Sequence, residues 1–243
     1  FSPGGRTMTM LIAAACVFLG LHLFVSGTRL RDALVGAIGE GAYLALFSLA
    51  SIAAIAWPVM SYNAAQAGAD NQILYTPWIG IRHLAIPVVA LAFLLAVPGL
   101  LLPNPTSLKQ EGAAAKEGTV RGVLRITRHP FLWGVALWSA FHTAANGDEA
   151  SVIFFGTFLL LSVSGTFSID AKRRHKMGEA WEGFAAKTSN VPFGAVLRRR
   201  TSLKLGELFD WRLFAAVVVF LAVLFSHAHL FGVSPFPSGW VPF

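Results

Sequence analysis

The chain has 243 residues, of which 55% are hydrophobic and only 13% are charged, and its formal net charge is +7. Soluble domains carry about 25% charged residues, so this composition excludes an ordinary cytosolic enzyme, a disordered chain and a nucleic-acid-binding domain. The single cysteine, Cys16, excludes a disulfide framework and a cysteine-based metal cage.

Six apolar segments are candidates for membrane spans, because a spanning helix needs about 20 apolar residues. We therefore predict an all-α fold, a polytopic membrane helix bundle of about six transmembrane helices. The predicted spans, in chain order, are residues 8–26, 41–62, 83–102, 130–146, 150–169 and 211–231. Only a short turn, Asn146-Gly147-Asp148-Glu149, joins the fourth and fifth spans, which predicts an antiparallel pair.

The basic residues predict the orientation of these spans. Of the 19 lysines and arginines, 17 fall in the loops after the first, third and fifth spans, and the exceptions are Arg6 and Arg82. Cytoplasmic loops retain positive charge, so we expect a multi-pass protein of the bacterial inner membrane with both termini periplasmic. Membrane lipids are then the expected partners, and nucleic acid is not. We expect residues 1–243 to form a single integral membrane domain, with residues 1–7 disordered or introduced by cloning.

Histidines in or near the spans are the first candidate site. His22 lies within the first span and His142 within the fourth, while His83 and His227 lie near the ends of the third and sixth. Polar groups at membrane depth need partners, and neutral imidazole is a common metal ligand and a regular axial ligand of haem iron. We predict His22 and His142 as metal ligands, with His83 and His227 as secondary candidates; the alternative is that each hydrogen-bonds a neighbouring helix.

The depths of the two main candidates differ. From the helical rise, His22 lies about 7 Å to the cytoplasmic side of the middle of its span, and His142 about 6 Å to the outer side. A haem held by both would be strongly tilted, and ligation by one histidine stays open.

A basic motif precedes the fourth span. Arg125, Arg128 and His129 come directly before Pro130, which suits the first position of a helix. Free N–H groups at that helix start, beside these cations, predict an anion or headgroup site. The alternative is a basic anchor whose charged ends reach the membrane surface.

The last cytoplasmic loop contains a further predicted helix. Trp181 and Phe184 are three residues apart, which predicts an amphipathic interfacial helix. Glu179 and Glu182 share the opposite face, where they either meet the arginines before the fourth span or face lipid headgroups.

Three stretches carry a family resemblance. They are RITRHPFLWGVALWSAFHTAANGD (residues 125–148), MGEAWEGFAAKTSNVPF (residues 177–193) and GEGAYLALFSLAS (residues 39–51). Together they resemble the NnrU family of bacterial membrane proteins, which is associated with denitrification. The resemblance implies a redox or nitric-oxide-responsive role linked to nitrite and nitric oxide metabolism.

The same pattern resembles the plant and cyanobacterial 15-cis-zeta-carotene isomerases, which carry haem b. That resemblance implies haem b as the cofactor, with His142 and His22 at the positions of its ligands. It also implies an alternative activity, haem-dependent cis–trans isomerisation of a carotenoid or other polyene lipid. The isomerases have a cysteine three residues before the histidine matching His142, where this chain has Ser139, so a cysteine ligand switch is absent.

A more distant resemblance, through the Arg-His-Pro motif, is to isoprenylcysteine and phospholipid methyltransferases. It implies a further alternative, an S-adenosylmethionine-dependent membrane methyltransferase that uses Arg128, His129 and Glu182.

Overall fold

The computed structural model of the chain describes residues 3–25, 28, 30–107 and 109–236, and within these residues it contains helices and no β-strand. The α-helices are α1 (Pro3–Gly20), α2 (Leu30–Ile38), α3 (Glu40–Gln66), α4 (Ala85–Leu101), α5 (Pro130–Asn146), α6 (Glu149–Met177), α7 (Glu179–Lys187), α8 (Gly194–Leu197) and α9 (Trp211–Phe231). A π-helical turn, Leu21–Val25, continues α1. Short 3-10 helices cover Ile79–Leu84, Glu111–Ala115, Gly122–Arg125 and Leu205–Glu207. The predicted all-α fold is confirmed.

Among the described residues, five helical stretches are long and apolar enough to cross a membrane, so this is a multi-pass membrane protein. They are Arg6–Val25, Glu40–Gln66, Ile79–Leu101, Glu149–Met177 and Trp211–Phe231. The remaining predicted span is α5, which is helical over the predicted residues but has only 17 of them. Of residues 1–7, residues 3–7 belong to α1, and residues 1 and 2 lie outside the described residues.

Local signals explain where several helices begin and end. Pro130 opens α5, where its missing N–H costs no hydrogen bond. The carboxylate of Asp210 caps α9 by accepting from the Arg212 amide at 2.8 Å, and Gly232, with φ 72°, ends that helix. Helix α6 runs eight residues past its predicted end at residue 169, through a basic stretch whose long side chains can reach water from the membrane surface.

The chain divides into two compact units. Unit 1 comprises the residues up to Trp78 together with His142–Leu161, and unit 2 comprises Ile79–Phe141 together with the residues from Ser162 onward. In unit 1, α1 packs along α3, and in unit 2, α4 packs along α9.

The turn between α5 and α6 is fixed by hydrogen bonds within unit 1. Helix α5 ends at residue 146 and α6 begins at residue 149, as the short turn predicted. Gly147 has φ 82°, and its carbonyl oxygen accepts from the amides of Leu74 and Tyr75 at 2.9 and 3.2 Å. The Asp148 carboxylate accepts from the side chains of Gln66 and Asn71 at 2.7 and 3.1 Å.

Small residues allow α4 and α5 to approach closely within unit 2. A Cβ atom added to Gly134 would lie 2.6 Å from the carbonyl oxygen of Ala92, and one added to Gly99 would lie 2.6 Å from the amide nitrogen of Phe131. Such contacts are typical of membrane helices that pack through small residues.

The helix predicted in the loop before the last span is α7, but its aromatic face is covered by protein. Trp181 and Phe184 are 0% and 3% exposed, and α7 contacts the 3-10 helix Glu111–Ala115. Glu182 forms an exposed ion pair with Arg174 at 2.9 Å. The carboxylates that meet the arginines before α5 come from other elements, described below.

Candidate functional site

His22 lies in the π-helical turn that ends the first span. Its half-buried ring packs on Phe18, with ring centroids 4.5 Å apart, and edge-on to Phe47 at 5.8 Å. The Nδ1 atom is 2.9 Å from the Phe18 carbonyl oxygen. Because a carbonyl only accepts, Nδ1 carries the proton, and in the neutral ring Nε2 carries the lone pair. This is the tautomer that metal-ligating histidines use when the second ring nitrogen is held by a carbonyl, and π-helical turns are frequent at functional sites.

His142 lies on α5, four residues before the end of that helix. Its ring stacks on Phe155 of α6, with centroids 4.8 Å apart and planes inclined at 29°. One turn earlier, the buried Ser139 hydroxyl donates to the Val135 carbonyl oxygen at 2.6 Å. The serine is therefore engaged with its own helix.

A row of phenylalanine rings connects the two histidines within unit 1. Successive centroids along it are 5.2, 5.1 and 5.1 Å apart, and the rings are Phe18, Phe158, Phe154 and Phe155. Counting residues along α1 and α6, His22 and His142 lie about 10 Å apart in depth. Axial ligands of one iron must face each other across the porphyrin. The two histidines do not face each other in this arrangement, so ligation of one iron by both would require the phenylalanine rings to move.

The secondary histidines belong to unit 2. His83 is exposed on the 3-10 helix Ile79–Leu84, and His227 has its Nδ1 atom 2.7 Å from the Val233 carbonyl oxygen. Across the described part of the chain, no group of three or more His, Cys, Asp or Glu residues is placed to hold a metal ion.

A second polar cluster in unit 2 surrounds Asp170 of α6. The Arg128 Nε atom donates to Asp170 Oδ1 at 2.9 Å, and Nη2 donates to Oδ2 at 2.5 Å. His129 Nε2 lies 2.7 Å from Oδ1, and the Asn190 amide donates to Oδ2 at 3.2 Å. The guanidinium of Arg128 also lies 5.5 Å from the Trp181 ring centroid. The anion that Arg128 binds in the structure is therefore the chain's own carboxylate.

Burial favours the neutral form of His129 in this cluster. Burial lowers its pKa, and the hydrogen bond with Asp170 opposes that shift. Because a carboxylate accepts, Nε2 carries the proton. Within the described residues, the Nδ1 atom of His129, the Oδ1 atom of Asn190 and the Nε1 atom of Trp181 are buried without hydrogen-bond partners. The cluster thus has spare capacity for a small polar guest such as water.

Arg125 also has a carboxylate partner, Glu207 of the 3-10 helix Leu205–Glu207. Its Nε atom donates to Oε2 at 2.7 Å, and the same oxygen accepts from the Gly122 amide at 3.0 Å. The hydrogen bond from Arg125 is the main cause that lowers the pKa of Glu207 to about 2. The predicted anion site at Arg125, Arg128 and His129 stays a prediction, and both of its arginines are already paired with carboxylates.

Two residues that the sequence prediction missed are Asp170 and Glu207. A signal existed for Asp170, since it is a carboxylate that directly follows an apolar span and such a charge needs a partner. No local pattern marks Glu207, because its partner Arg125 lies 82 residues away along the chain.

Unit 2 also contains an apolar cavity of about 640 Å³ between α4, α5 and α9. Its apolar walls include Leu91, Leu94, Leu95, Trp133, Leu137 and Leu213. Its charged lining residues are Arg121, Glu207, Asp210 and Arg212.

Comparisons with known proteins place the chain in a family. The model of the family described as NnrU protein matches residues 10–235. A chloroplastic 15-cis-zeta-carotene isomerase of Arabidopsis thaliana is 25% identical over 205 residues, which is 83% of this chain and 53% of that protein. Its counterpart in Zea mays is 29% identical over 109 residues, which is 44% of this chain and 30% of that protein.

The chain thus spans about half the length, or less, of the curated relatives it matches. No solved structure matches it. Because the family model covers nearly all of its residues, the chain belongs to the NnrU protein family.

Proposed function

We propose that this chain is a haem b-binding membrane protein of the NnrU type, with His22 as the residue that ligates the iron and His142 as the alternative ligand. Bound haem would supply a redox centre that also binds nitric oxide, which suits a role in nitrite and nitric oxide metabolism. We further propose that the protein lies in a bacterial inner membrane with both termini periplasmic, since its basic loops alternate with loops nearly free of lysine and arginine.

The observation that carries the proposal is the hydrogen bond between His22 Nδ1 and the Phe18 carbonyl oxygen, at 2.9 Å. It leaves the lone pair on Nε2, the nitrogen that a metal would use. The ring also sits in a π-helical turn, Leu21–Val25, among apolar and aromatic neighbours that suit a porphyrin. His142 has a similar aromatic neighbour in Phe155.

The test is a reduced-minus-oxidised visible spectrum of the purified full chain, reconstituted with haem b. His22→Ala and His142→Ala are compared with His83→Ala, an exposed histidine of unit 2. We expect a haem b spectrum in the wild type and in His83→Ala, and loss of haem in His22→Ala with little change in His142→Ala.

The other outcomes are equally informative. Loss of haem in His142→Ala alone would mean that His142, and not His22, is the single ligand of the iron. Conversion to a high-spin spectrum in both variants would mean that both histidines ligate the iron after the phenylalanine rings move. A wild type that stays colourless after reconstitution would overturn the proposal.

A second candidate function is cis–trans isomerisation of a polyene lipid. The observation that favours it is the 25% identity with a 15-cis-zeta-carotene isomerase over 83% of this chain. Conversion of a cis-carotene substrate by the haem-loaded protein, lost with haem in the ligand variant, would support it. Haem loading without conversion would leave the redox or nitric-oxide-responsive role.

A further inference from the structure

The cavity of unit 2 has the size and polarity of a ligand site. Its volume of about 640 Å³ lies within the range of about 300–1,000 Å³ typical of small-molecule pockets. Most of its lining residues are apolar, and they include leucines from three helices, so it suits an apolar group.

The length of the cavity matches one leaflet of a bilayer. Both Leu91 and Leu102 line it, and they lie at the middle and the C-terminal end of α4. Eleven residues of helix correspond to about 16 Å. Half the hydrocarbon core of a bilayer is about 15 Å thick, so the cavity has the depth that one acyl chain occupies in a leaflet.

The charged lining residues gather at the C-terminal end of α4. Arg212 Nε donates to the Leu101 carbonyl oxygen at 3.3 Å, and the Gly122 amide donates to Glu207 at 3.0 Å. Leu102, Val123 and Leu124 form a buried cluster at the same end. The cavity therefore has an apolar length and one charged end, which is the end nearest the basic loops.

One of the charged residues that line the cavity at that end, Arg121, is not paired with a carboxylate among the described residues. Glu207 is paired with Arg125 at 2.7 Å, and Asp210 with Arg212 at 2.5 Å. Arg121 is exposed and lines the cavity. Within the part of the chain that the structure describes, its guanidinium has no ion pair or hydrogen bond.

We propose that this cavity binds an anionic phospholipid of the leaflet on the basic side of the membrane. One acyl chain lies along α4 among the leucines, and the phosphate of the headgroup meets Arg121. The site does not involve the histidines of unit 1, so it stands whether or not the chain binds haem.

The experiment is native mass spectrometry of the delipidated full chain after incubation with equimolar phosphatidylglycerol and phosphatidylcholine of matched acyl chains. We expect the wild type to retain one molecule of phosphatidylglycerol in preference to phosphatidylcholine. Loss of a charge-assisted contact is worth about one order of magnitude in affinity. Arg121→Gln is thus expected to lower the ratio of retained phosphatidylglycerol to phosphatidylcholine about tenfold. Arg198→Gln is the matched control, because Arg198 is an exposed arginine of the basic loop before α9 and does not line the cavity.

A second pair of variants tests the acyl chain. Leu94→Trp fills the cavity and is expected to abolish retention of either lipid, while Leu100→Trp changes a leucine of the same helix that is 60% exposed and does not line the cavity. Equal retention in these two variants, or equal ratios in Arg121→Gln and Arg198→Gln, would overturn the proposal. A parallel incubation with palmitate tests whether any anionic molecule with one acyl chain binds in the cavity. Displacement of phosphatidylglycerol by palmitate at equal concentration would overturn the assignment to a phospholipid.

Discussion

The guanidinium of Arg125 holds the carboxylate of Glu207 at two points, with Nε 2.7 Å from Oε2 and Nη2 3.0 Å from Oε1. This pair joins the 3-10 helix that leads to α5 with the 3-10 helix that precedes α9. Two parallel hydrogen bonds to a carboxylate are a geometry that lysine cannot reproduce.

The pair predicts a pH dependence of stability. The pKa of Glu207 is lowered in the folded protein to about 2, below its value in an unfolded chain, so the pair stabilises fully above about pH 4.5 and loses its effect as the pH falls toward 2. We expect the unfolding temperature in detergent to fall less steeply between pH 5 and 3 in Glu207→Gln than in the wild type. Glu179→Gln, on an exposed position of α7, should keep the wild-type slope. Equal slopes in all three proteins would contradict the prediction.

We expect a large loss of stability when the charge of Asp170 is removed. In Asp170→Asn, the largely buried Arg128 and the buried His129 lose the carboxylate they share, and breaking a buried pair typically costs about 3–5 kcal/mol. The matched control is Glu182→Gln, whose pair with Arg174 has both side chains 59% exposed and should change stability by less than about 1 kcal/mol. Thermal unfolding of both variants in one detergent checks this, and similar unfolding temperatures would mean that the cluster does not stabilise the fold.

The close contact between α4 and α5 leads us to expect that Gly134→Ala destabilises the protein, whereas Gly156→Ala on α6 does not. Gly134→Ala would place a Cβ atom 2.6 Å from the Ala92 carbonyl oxygen, and overpacking of this kind costs about 1–3 kcal/mol. Gly156→Ala meets no atom within 4 Å and should be neutral or stabilising, because alanine favours helix by up to about 1 kcal/mol. The unfolding temperatures of the two variants are the readout. If Gly134→Ala were as stable as Gly156→Ala, the helices would not approach as closely as described.

The charge asymmetry predicts which loops are accessible from outside the cell. In a Cys16→Ser background, Ala67→Cys introduces an exposed thiol after α3, and Ser202→Cys introduces one in the basic region before α9. A membrane-impermeant maleimide applied to intact cells should label the first variant and spare the second until the cells are lysed. Labelling of Ser202→Cys in intact cells would mean that the protein has the opposite orientation to the one proposed.

Local sequence signals were sufficient for much of the fold. Helix α5 covers the predicted residues 130–146, and α9 covers the predicted residues 211–231. Pro130 at the start of α5 and the Asp210 cap of α9 are local signals that mark where these helices begin. The end of α6 was predicted eight residues too early, because a basic stretch was interpreted as loop when its side chains can extend from a helix into water.

The candidate sites were less accessible to prediction, because their partners are distant in sequence. Arg128 and Asp170 are 42 residues apart, and Arg125 and Glu207 are 82 apart. No pattern within one helix identifies such pairs. The depths of His22 and His142 could be estimated by counting residues, but the row of phenylalanine rings between them depends on how α1 and α6 pack.

The π-helical turn at Leu21–Val25 makes the end of the first span a place where chain length can vary. Such a turn holds one residue more than the α-helical turn it replaces. Deleting one residue there would let the helix continue in regular geometry, and the residues on either side would keep their faces, because the turn already absorbs the extra residue. Homologues that are one residue shorter at this point would therefore keep the rest of the first span in register.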